Sequence, residues 1–380
     1  MSDPLPLFAS AHASGTHWAD ITRACLADLG PVPRENTLGF IYVTDHLAQD
    51  LPAIVDQLRL TTGLEQWVGT VGIGITGQTA TAPAQEYLDL PAISLMVGSF
   101  APDSVRLLEP EQGGVGSRLR ALQPWVQARS PGVALVHADP RNAQLPNLIR
   151  QLTAESGLFL LGGLTCSRNG LPQVAGSVGD SGLSGALLAG DVALVTGLSQ
   201  GCSPIGPQHV ITKAQENIIM EIDGRPALDV FREEIGEVLA RDLRKVAGFI
   251  FAALPVAGSD TGDFLVRNFT GIDSNSGWIA ISAEVADGDA IMFTRRDRDS
   301  ALADLERMLE RLKQRIDRPV RGGLYISCIA RGPNLFGPDS TETRLIAEHL
   351  GQFPLTGFFA NGEISHDRIY AYTGVLTLFL

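Results

Sequence analysis

The stretch Leu51-Pro-Ala-Ile-Val-Asp-Gln-Leu-Arg-Leu-Thr-Thr-Gly-Leu64 recurs later in the chain as Leu145-Pro-Asn-Leu-Ile-Arg-Gln-Leu-Thr-Ala-Glu-Ser-Gly-Leu158, with six of the fourteen positions identical. In both copies the apolar residues follow the i, i+3, i+4, i+7 spacing of a buried helix face. The proline at the second position suits the first turn of a helix, and the glycine at the thirteenth suits its left-handed end. The repeat therefore predicts two copies of one helix.

Short apolar runs flank both helices. Residues 39–44 and 132–137 precede them, and residues 67–72 and 159–163 follow them. A looser third copy lies near the C-terminus: a strand at 324–329, a helix in which Asp339 and Glu342 resemble a capping pair, and a closing strand at 355–359. We therefore predict a mixed α/β (α+β) fold in which layered β-sheets are flanked by helices. Its two similar halves would each repeat the strand–helix–strand unit.

The sequence of the rest of the chain predicts further strands and helices. It also indicates a domain boundary at Asp223-Gly224-Arg225-Pro226, which no low-complexity linker marks. The predicted helices are 226–243 and 301–316. The predicted strands are 92–100, 185–196, 210–223, 246–256 and two within 278–294. We expect a lead-in segment at 1–34 and two domains, at 35–224 and 225–380.

The composition excludes several classes of protein. The 380 residues carry a formal charge of −13, which argues against nucleic-acid and anionic-membrane partners. The sequence has no apolar run long enough to span a membrane and no cationic, apolar leader, so we expect a cytoplasmic protein. Four dispersed cysteines and seven histidines without ligand spacing predict neither disulfides nor a metal site.

Two motifs suggest chemistry but lack the necessary context. Gly72-x-Gly74-x-x-Gly77 matches a dinucleotide fingerprint, and Gly197-Leu-Ser199-Gln-Gly201 matches a nucleophile elbow. Both signatures require a helix immediately afterwards, and neither following segment has a helical pattern. An enzyme is therefore less favoured than a binding protein, although a serine hydrolase acting through Ser199 stays open. A haem held by a single histidine also stays open, because an axial ligand needs no sequence spacing.

The C-terminal motifs resemble those of the FIST family, the F-box and intracellular signal-transduction proteins. They are Ser327-Cys-Ile-Ala-Arg331, Phe336-Gly337, Glu342 and Pro354-Leu-Thr-Gly-Phe-Phe-Ala-Asn-Gly-Glu-Ile364. Residues 68–77, 160–164, 182–187 and 223–228 resemble the N-terminal half, so the likeness spans about 35–380. Unlike many members, this chain has no acid in the segment 71–77.

The resemblance implies a stand-alone bacterial sensory protein that binds a small molecule, with amino acids as proposed ligands. Because the chain has no room for an output domain, we expect it to signal to a separate partner protein. Two further alternatives stay open: a haem-binding nitric oxide sensor, since some similar proteins bind haem, and a protein-interaction module without a ligand. Apart from haem, no cofactor is expected.

The expected ligand pocket combines glycine-rich strand ends with polar residues of the C-terminal motifs. Arg331 would hold a carboxylate with its guanidinium, and Glu363 would accept a hydrogen bond from an amine. Together these two groups would suit an amino acid. The candidate ligand-binding residues are Gly72, Gly74, Cys328, Arg331, Asn361, Gly362 and Glu363.

Overall fold

The fold is mixed α/β, as predicted, with 27% of the residues in helices and 41% in strands. The structure, a computed structural model, describes residues 8–33, 35–110, 115–130, 132–180, 182–241, 243–246, 248–256 and 262–380. Several mixed sheets are flanked by helices, which confirms the predicted architecture.

The helices are short to medium in length, and within the described residues none is both long and apolar enough to cross a membrane. They are α1 (Trp18–Leu29), α2 (Leu51–Thr62), α3 (Val115–Arg129), α4 (Leu145–Ser156), α5 (Ala227–Ala240), α6 (Arg298–Arg315), α7 (Pro333–Phe336) and α8 (Thr341–Leu350). Short 3-10 turns lie at Asp45–Leu47 and Leu243–Val246.

The strands are numbered in chain order. They are β1 (Phe8–Ser14), β2 (Thr37–Thr44), β3 (Trp67–Gly72), β4 (Gly74–Gln78), β5 (Gln85–Leu88), β6 (Ala92–Ser99), β7 (Val105–Leu108), β8 (Val133–Ala138), β9 (Phe159–Leu164), β10 (Gln173–Ala175), β11 (Ser177–Gly179), β12 (Leu183–Leu188), β13 (Leu194–Gln200), β14 (Cys202–Pro204), β15 (His209–Gln215), β16 (Ile218–Ile222), β17 (Arg225–Pro226), β18 (Ile250–Pro255), β19 (Phe264–Arg267), β20 (Phe269–Asp273), β21 (Trp278–Ile281), β22 (Ala290–Arg296), β23 (Gly322–Cys328), β24 (Leu355–Ala360), β25 (Glu363–His366), β26 (Arg368–Tyr370) and β27 (Thr373–Phe379).

The repeated strand–helix–strand unit is present three times. The pairs β2–β3, β8–β9 and β23–β24 are each parallel, and α2, α4 and α8 lie in the respective connections. Gly63 and Gly157 end α2 and α4 in the left-handed conformation, with φ of 69° and 70°. The repeat therefore encodes both the apolar face that buries each helix and the residue that stops it.

The described strands form four sheets. Three are six-stranded, in the orders β1-β6-β2-β3-β10-β11, β26-β25-β9-β8-β12-β7 and β13-β27-β23-β24-β4-β5. The fourth follows the path β19-β18-β22-β15-β16-β21-β20, with β14 on β22 and β17 on β16. In the third sheet the early strand β4 pairs with the late strand β24, so segments that are far apart in the sequence share one sheet.

The chain divides into two compact units. The first contains residues 1–199, 305–369 and 373–380, and the second contains 200–304 and 370–372. The domain boundary expected at 224/225 lies inside the second unit. The domain limits stay a prediction. Within the expected lead-in 1–34, the described residues form β1, which pairs with β6, and the helix α1.

Two strand predictions were wrong. The predicted strand 185–196 is two strands, β12 and β13, and the predicted strand 210–223 is the hairpin β15–β16. Glu216 takes the left-handed conformation at the turn of this hairpin, with φ of 55°, which an alternating polar pattern does not reveal. The predicted helix 226–243 begins and ends close to α5, but Gly236 (φ 77°) breaks its interior.

Candidate functional site

The candidate residues from the C-terminal motifs meet at the carboxyl ends of β23 and β24. Cys328 is the last residue of β23 and lies opposite Ala360, the last residue of β24. Asn361 and Gly362 then carry the chain across to β9, where the Asn361 N–H donates to the Leu164 carbonyl at 3.0 Å. Carboxyl ends of parallel strands are a common location for ligand sites.

Gly362 makes this crossing possible. Its φ is +141°, a conformation that side chains rarely adopt, and an added Cβ would lie 3.1 Å from Leu164. Its carbonyl accepts a hydrogen bond from the Leu164 N–H at 2.8 Å. The next residue, Glu363, therefore starts β25 inside the protein, opposite Gly163 of β9.

Glu363 is fully buried, and only one of its oxygens is hydrogen-bonded. Oε2 accepts from the Thr373 N–H at 3.1 Å and from the Thr373 hydroxyl at 2.7 Å. Oε1 has no hydrogen-bond partner among the described residues. Burial raises the pKa of this carboxyl to about 8, against opposing effects of Thr373, Arg331 and the Cys328 thiol.

Arg331, by contrast, is already paired. Its Nη2 and Nε lie 2.7 and 2.9 Å from Oε1 of Glu342, and neither side chain is exposed. Nη1 donates to the carbonyl of Ser199, and Nη2 also donates to the Ser199 hydroxyl, each at 3.3 Å. A ligand carboxylate would have to displace Glu342 from Arg331, and the contact of Arg331 with a ligand stays a prediction.

The capping role expected for Glu342 was wrong. Ser340 is the N-cap residue of α8, and Glu342 turns inward. In addition to Arg331, its carboxylate accepts from the Tyr325 hydroxyl at 2.6 Å, the Ser327 hydroxyl at 3.0 Å and the Gly332 N–H at 2.8 Å. This network ties α8 to β23, and nothing in the local spacing of the sequence points to it.

A second buried glutamate repeats the arrangement around Glu363. Oε1 of Glu86 accepts from the N–H and the hydroxyl of Thr343, both at 3.1 Å, and Oε2 has no partner among the described residues. Burial and the neighbouring charge of Glu342 raise the pKa of Glu86. The sequence analysis missed Glu86, which follows no recognisable motif.

Gly72 and Gly74 lie beside this region, but the chain itself fills the space next to them. A Cβ on Gly72 would lie 2.4 Å from the Gly74 carbonyl oxygen, and one on Gly74 would lie 2.6 Å from the Phe359 ring. Both glycines thus allow β24 to approach closely. Gly72 and Gly74 stay predicted ligand-binding residues.

The structure also bears on the open alternatives. Ser199 lies in β13 and is followed by the strand β14, so no nucleophile elbow forms around it. No group of three or more metal-ligating side chains occurs within the described residues. Four cavities, of about 480, 270, 640 and 160 Å³, have no histidine among their described lining residues.

Comparisons with known proteins agree with the resemblance in the motifs. The model of the FIST N domain matches residues 37–225, and that of the FIST C domain matches 227–366. An uncharacterized protein of Mycobacterium tuberculosis (strain ATCC 25618 / H37Rv) is 31% identical over 324 residues, which cover 81% of this chain and 83% of the relative. An uncharacterized protein of Mycobacterium bovis (strain ATCC BAA-935 / AF2122/97) is 30% identical over 322 residues, covering 81% and 82%. The chain therefore belongs to the FIST family, whose domains are associated with signal transduction and small-ligand sensing.

Proposed function

We propose that this protein is a sensor of a small amine, of the amino-acid class, and that Glu363 receives the amino group of the ligand. The free Oε1 of this buried carboxyl is the observation that carries the proposal. A buried acceptor without a partner is unfavourable, so a donor that reaches it gains more than an ordinary surface hydrogen bond does.

The surroundings of Glu363 favour a cationic donor. Its other oxygen is held by Thr373, which fixes the direction of Oε1. In the absence of a ligand the raised pKa keeps the carboxyl protonated at neutral pH. An incoming ammonium group would displace that proton and form a charge-assisted hydrogen bond with the carboxylate.

Neighbouring residues would complete the site. Asn361 is exposed and lies two residues before the buried Glu363. The Cys328 thiol contacts the carboxyl from β23. Arg331 would act indirectly, because its pairing with Glu342 holds α8 against β23. We propose that binding at these strand ends changes the adjoining connections and that a signalling partner responds to this change.

Calorimetric titration with the protein amino acids tests this proposal. We expect at least one amino acid to bind and its N-acetyl derivative to bind at least about tenfold more weakly. The Glu363→Gln variant should bind the amino acid and its N-acetyl derivative with similar affinity. Affinity should rise about tenfold per pH unit until about pH 8, because one proton leaves Glu363 on binding. Glu86→Gln is the matched control and should bind normally.

Other outcomes would support other functions. Equal binding by wild type and Glu363→Gln would refute the role of this carboxyl. A Soret band in the purified protein would favour the haem-binding alternative over an amine sensor. Three results together would favour an interaction module without a ligand: a native mass equal to that of the chain, no binding of any amino acid in the titration, and a stable partner protein.

A further inference from the structure

A groove of about 640 Å³ lies in the first unit, away from the residues of the proposed amine site. The described residues that line it come from the end of β6, the segment before β13 and the segment that leads into β23. Phe100, Val192 and Pro319 give it apolar walls. Its volume falls within the range of pockets for small organic ligands.

Arg321 brings to this groove a guanidinium with an unused donor, Nε. Its guanidinium lies 5.3 Å from the ring centroid of Phe8, which itself packs edge-on against Phe100. Nε is buried without a hydrogen-bond partner, and no described carboxylate pairs with the side chain. Burial, followed by the charge of Arg318, lowers the pKa of Arg321, as expected for a cation that lacks a counter-charge.

Ser104 adds a second unused donor in the same lining. The residue is only 1% exposed, and its hydroxyl has no hydrogen-bond partner among the described residues. Its backbone N–H donates to Ala101, and its carbonyl accepts from Ala189, so the position of the residue is fixed at both ends. Because most buried polar groups in proteins are hydrogen-bonded, a buried hydroxyl without a partner can donate a hydrogen bond to a ligand.

We propose that this groove binds an organic carboxylate with an aliphatic or aromatic body, whose oxygens accept hydrogen bonds from Nε of Arg321 and the hydroxyl of Ser104. The apolar walls favour such a ligand over inorganic phosphate. Asp191, an exposed acid in the lining, disfavours a second negative charge on the ligand. The site is separate from Glu363 and does not depend on the proposed amine site.

Octanoate is a suitable probe, with octanol and inorganic phosphate as controls for the charge and for the apolar body. We expect calorimetric binding of octanoate by the full chain, with octanol and phosphate at least about tenfold weaker. Arg321→Met and Ser104→Ala should each weaken octanoate by about tenfold or more. Arg318→Met is the matched control, because Arg318 lines the same groove but is already paired with Asp317, and it should change affinity by less than about threefold.

Three results would overturn the proposal. The first is no octanoate binding at millimolar concentration, and the second is equal binding of octanol or phosphate. The third is unchanged affinity in Ser104→Ala, a variant that gives up no hydrogen bond and should fold as the wild type does. Loss of octanoate binding in Arg321→Met with a far-ultraviolet spectrum like that of wild type supports the site. Because Glu363→Gln should not affect octanoate, failure of this site and failure of the amine site are distinguishable.

Discussion

The proton held by Glu363 should make the stability of this protein depend on pH in an unusual direction. Burial raises the pKa of the folded carboxyl to about 8, whereas the reference value for an unfolded glutamate is 4.5. Above pH 4.5 the unfolded chain releases this proton and the folded chain keeps it. The folded state therefore loses about 1.4 kcal/mol per pH unit, and about 5 kcal/mol by pH 8, after which the loss levels off.

The substitution Glu363→Gln removes this effect while preserving the shape of the side chain. The amide oxygen can accept from Thr373 as Oε2 does, and the amide nitrogen takes the place of the protonated Oε1. We expect the variant to match wild type near pH 4.5 and to exceed it by about 5 kcal/mol at pH 8 and above. This group therefore stabilises the folded state most at low pH, whereas a salt-bridged carboxylate stabilises the folded state most at higher pH.

Urea unfolding followed by tryptophan fluorescence from pH 4.5 to 9 measures the difference. Glu348→Gln, which changes an exposed glutamate on α8, is the matched control and should leave the profile unchanged. Parallel profiles for wild type and Glu363→Gln would show that Glu363 carries no proton in the native state. A variant that is less stable at every pH would show that Oε1 accepts a hydrogen bond in the folded protein.

Three further predictions concern the surroundings of the site. Arg331→Met should destabilise the first unit by about 3–5 kcal/mol in urea unfolding, because it leaves Glu342 buried and unpaired, and an equally stable variant would contradict this pairing. Gly362→Ala should cost about 1–3 kcal/mol by the same assay, since φ of +141° strains any side chain. Arg168→Ala should destabilise the protein by about 1–3 kcal/mol at neutral pH and by less in acid. Burial alone would raise the pKa of Asp45, but its hydrogen bonds to Arg168 lower that pKa in the folded state, so this stabilisation is lost as the pH falls. A destabilisation that does not shrink in acid would refute this reasoning.

The sequence predicted those parts of the fold that depend on local patterns. The helices α2 and α4 follow from their apolar spacing and from the glycines that end them, and the strands beside them follow from short apolar runs. The sequence does not show which strands pair with each other. For example, β4 and β24 are neighbours in one sheet although most of the chain separates them in the sequence. Only tertiary packing decides which strand edge is covered, so the shared third sheet was not predictable from local residues.

The candidate site was predictable to a similar degree. Cys328 ends β23, and Asn361 and Glu363 come shortly after the end of the neighbouring strand β24, so their proximity could be expected once the third strand–helix–strand unit was recognised. Thr373 was not foreseen as the partner of Glu363, nor Glu342 as the partner of Arg331. Each is polar and looks like an ordinary turn or helix residue in the sequence, and its role arises only from the enclosed space that the folded chain creates.

The difference between Glu342 and Glu363 determines which of the two can receive a ligand. Glu342 accepts four hydrogen bonds, one of them from Nε of Arg331, and forms an ion pair with Nη2 of the same residue, so its charge is compensated and its oxygens are used. Glu363 accepts two hydrogen bonds from Thr373 on one oxygen and none that the described residues supply on the other. A compensated carboxylate holds a structure together, whereas a buried carboxyl with a free oxygen can exchange its proton for a cationic ligand. The same fold thus uses one acid to join α8 to β23 and leaves a second acid, at the neighbouring strand end, available for binding.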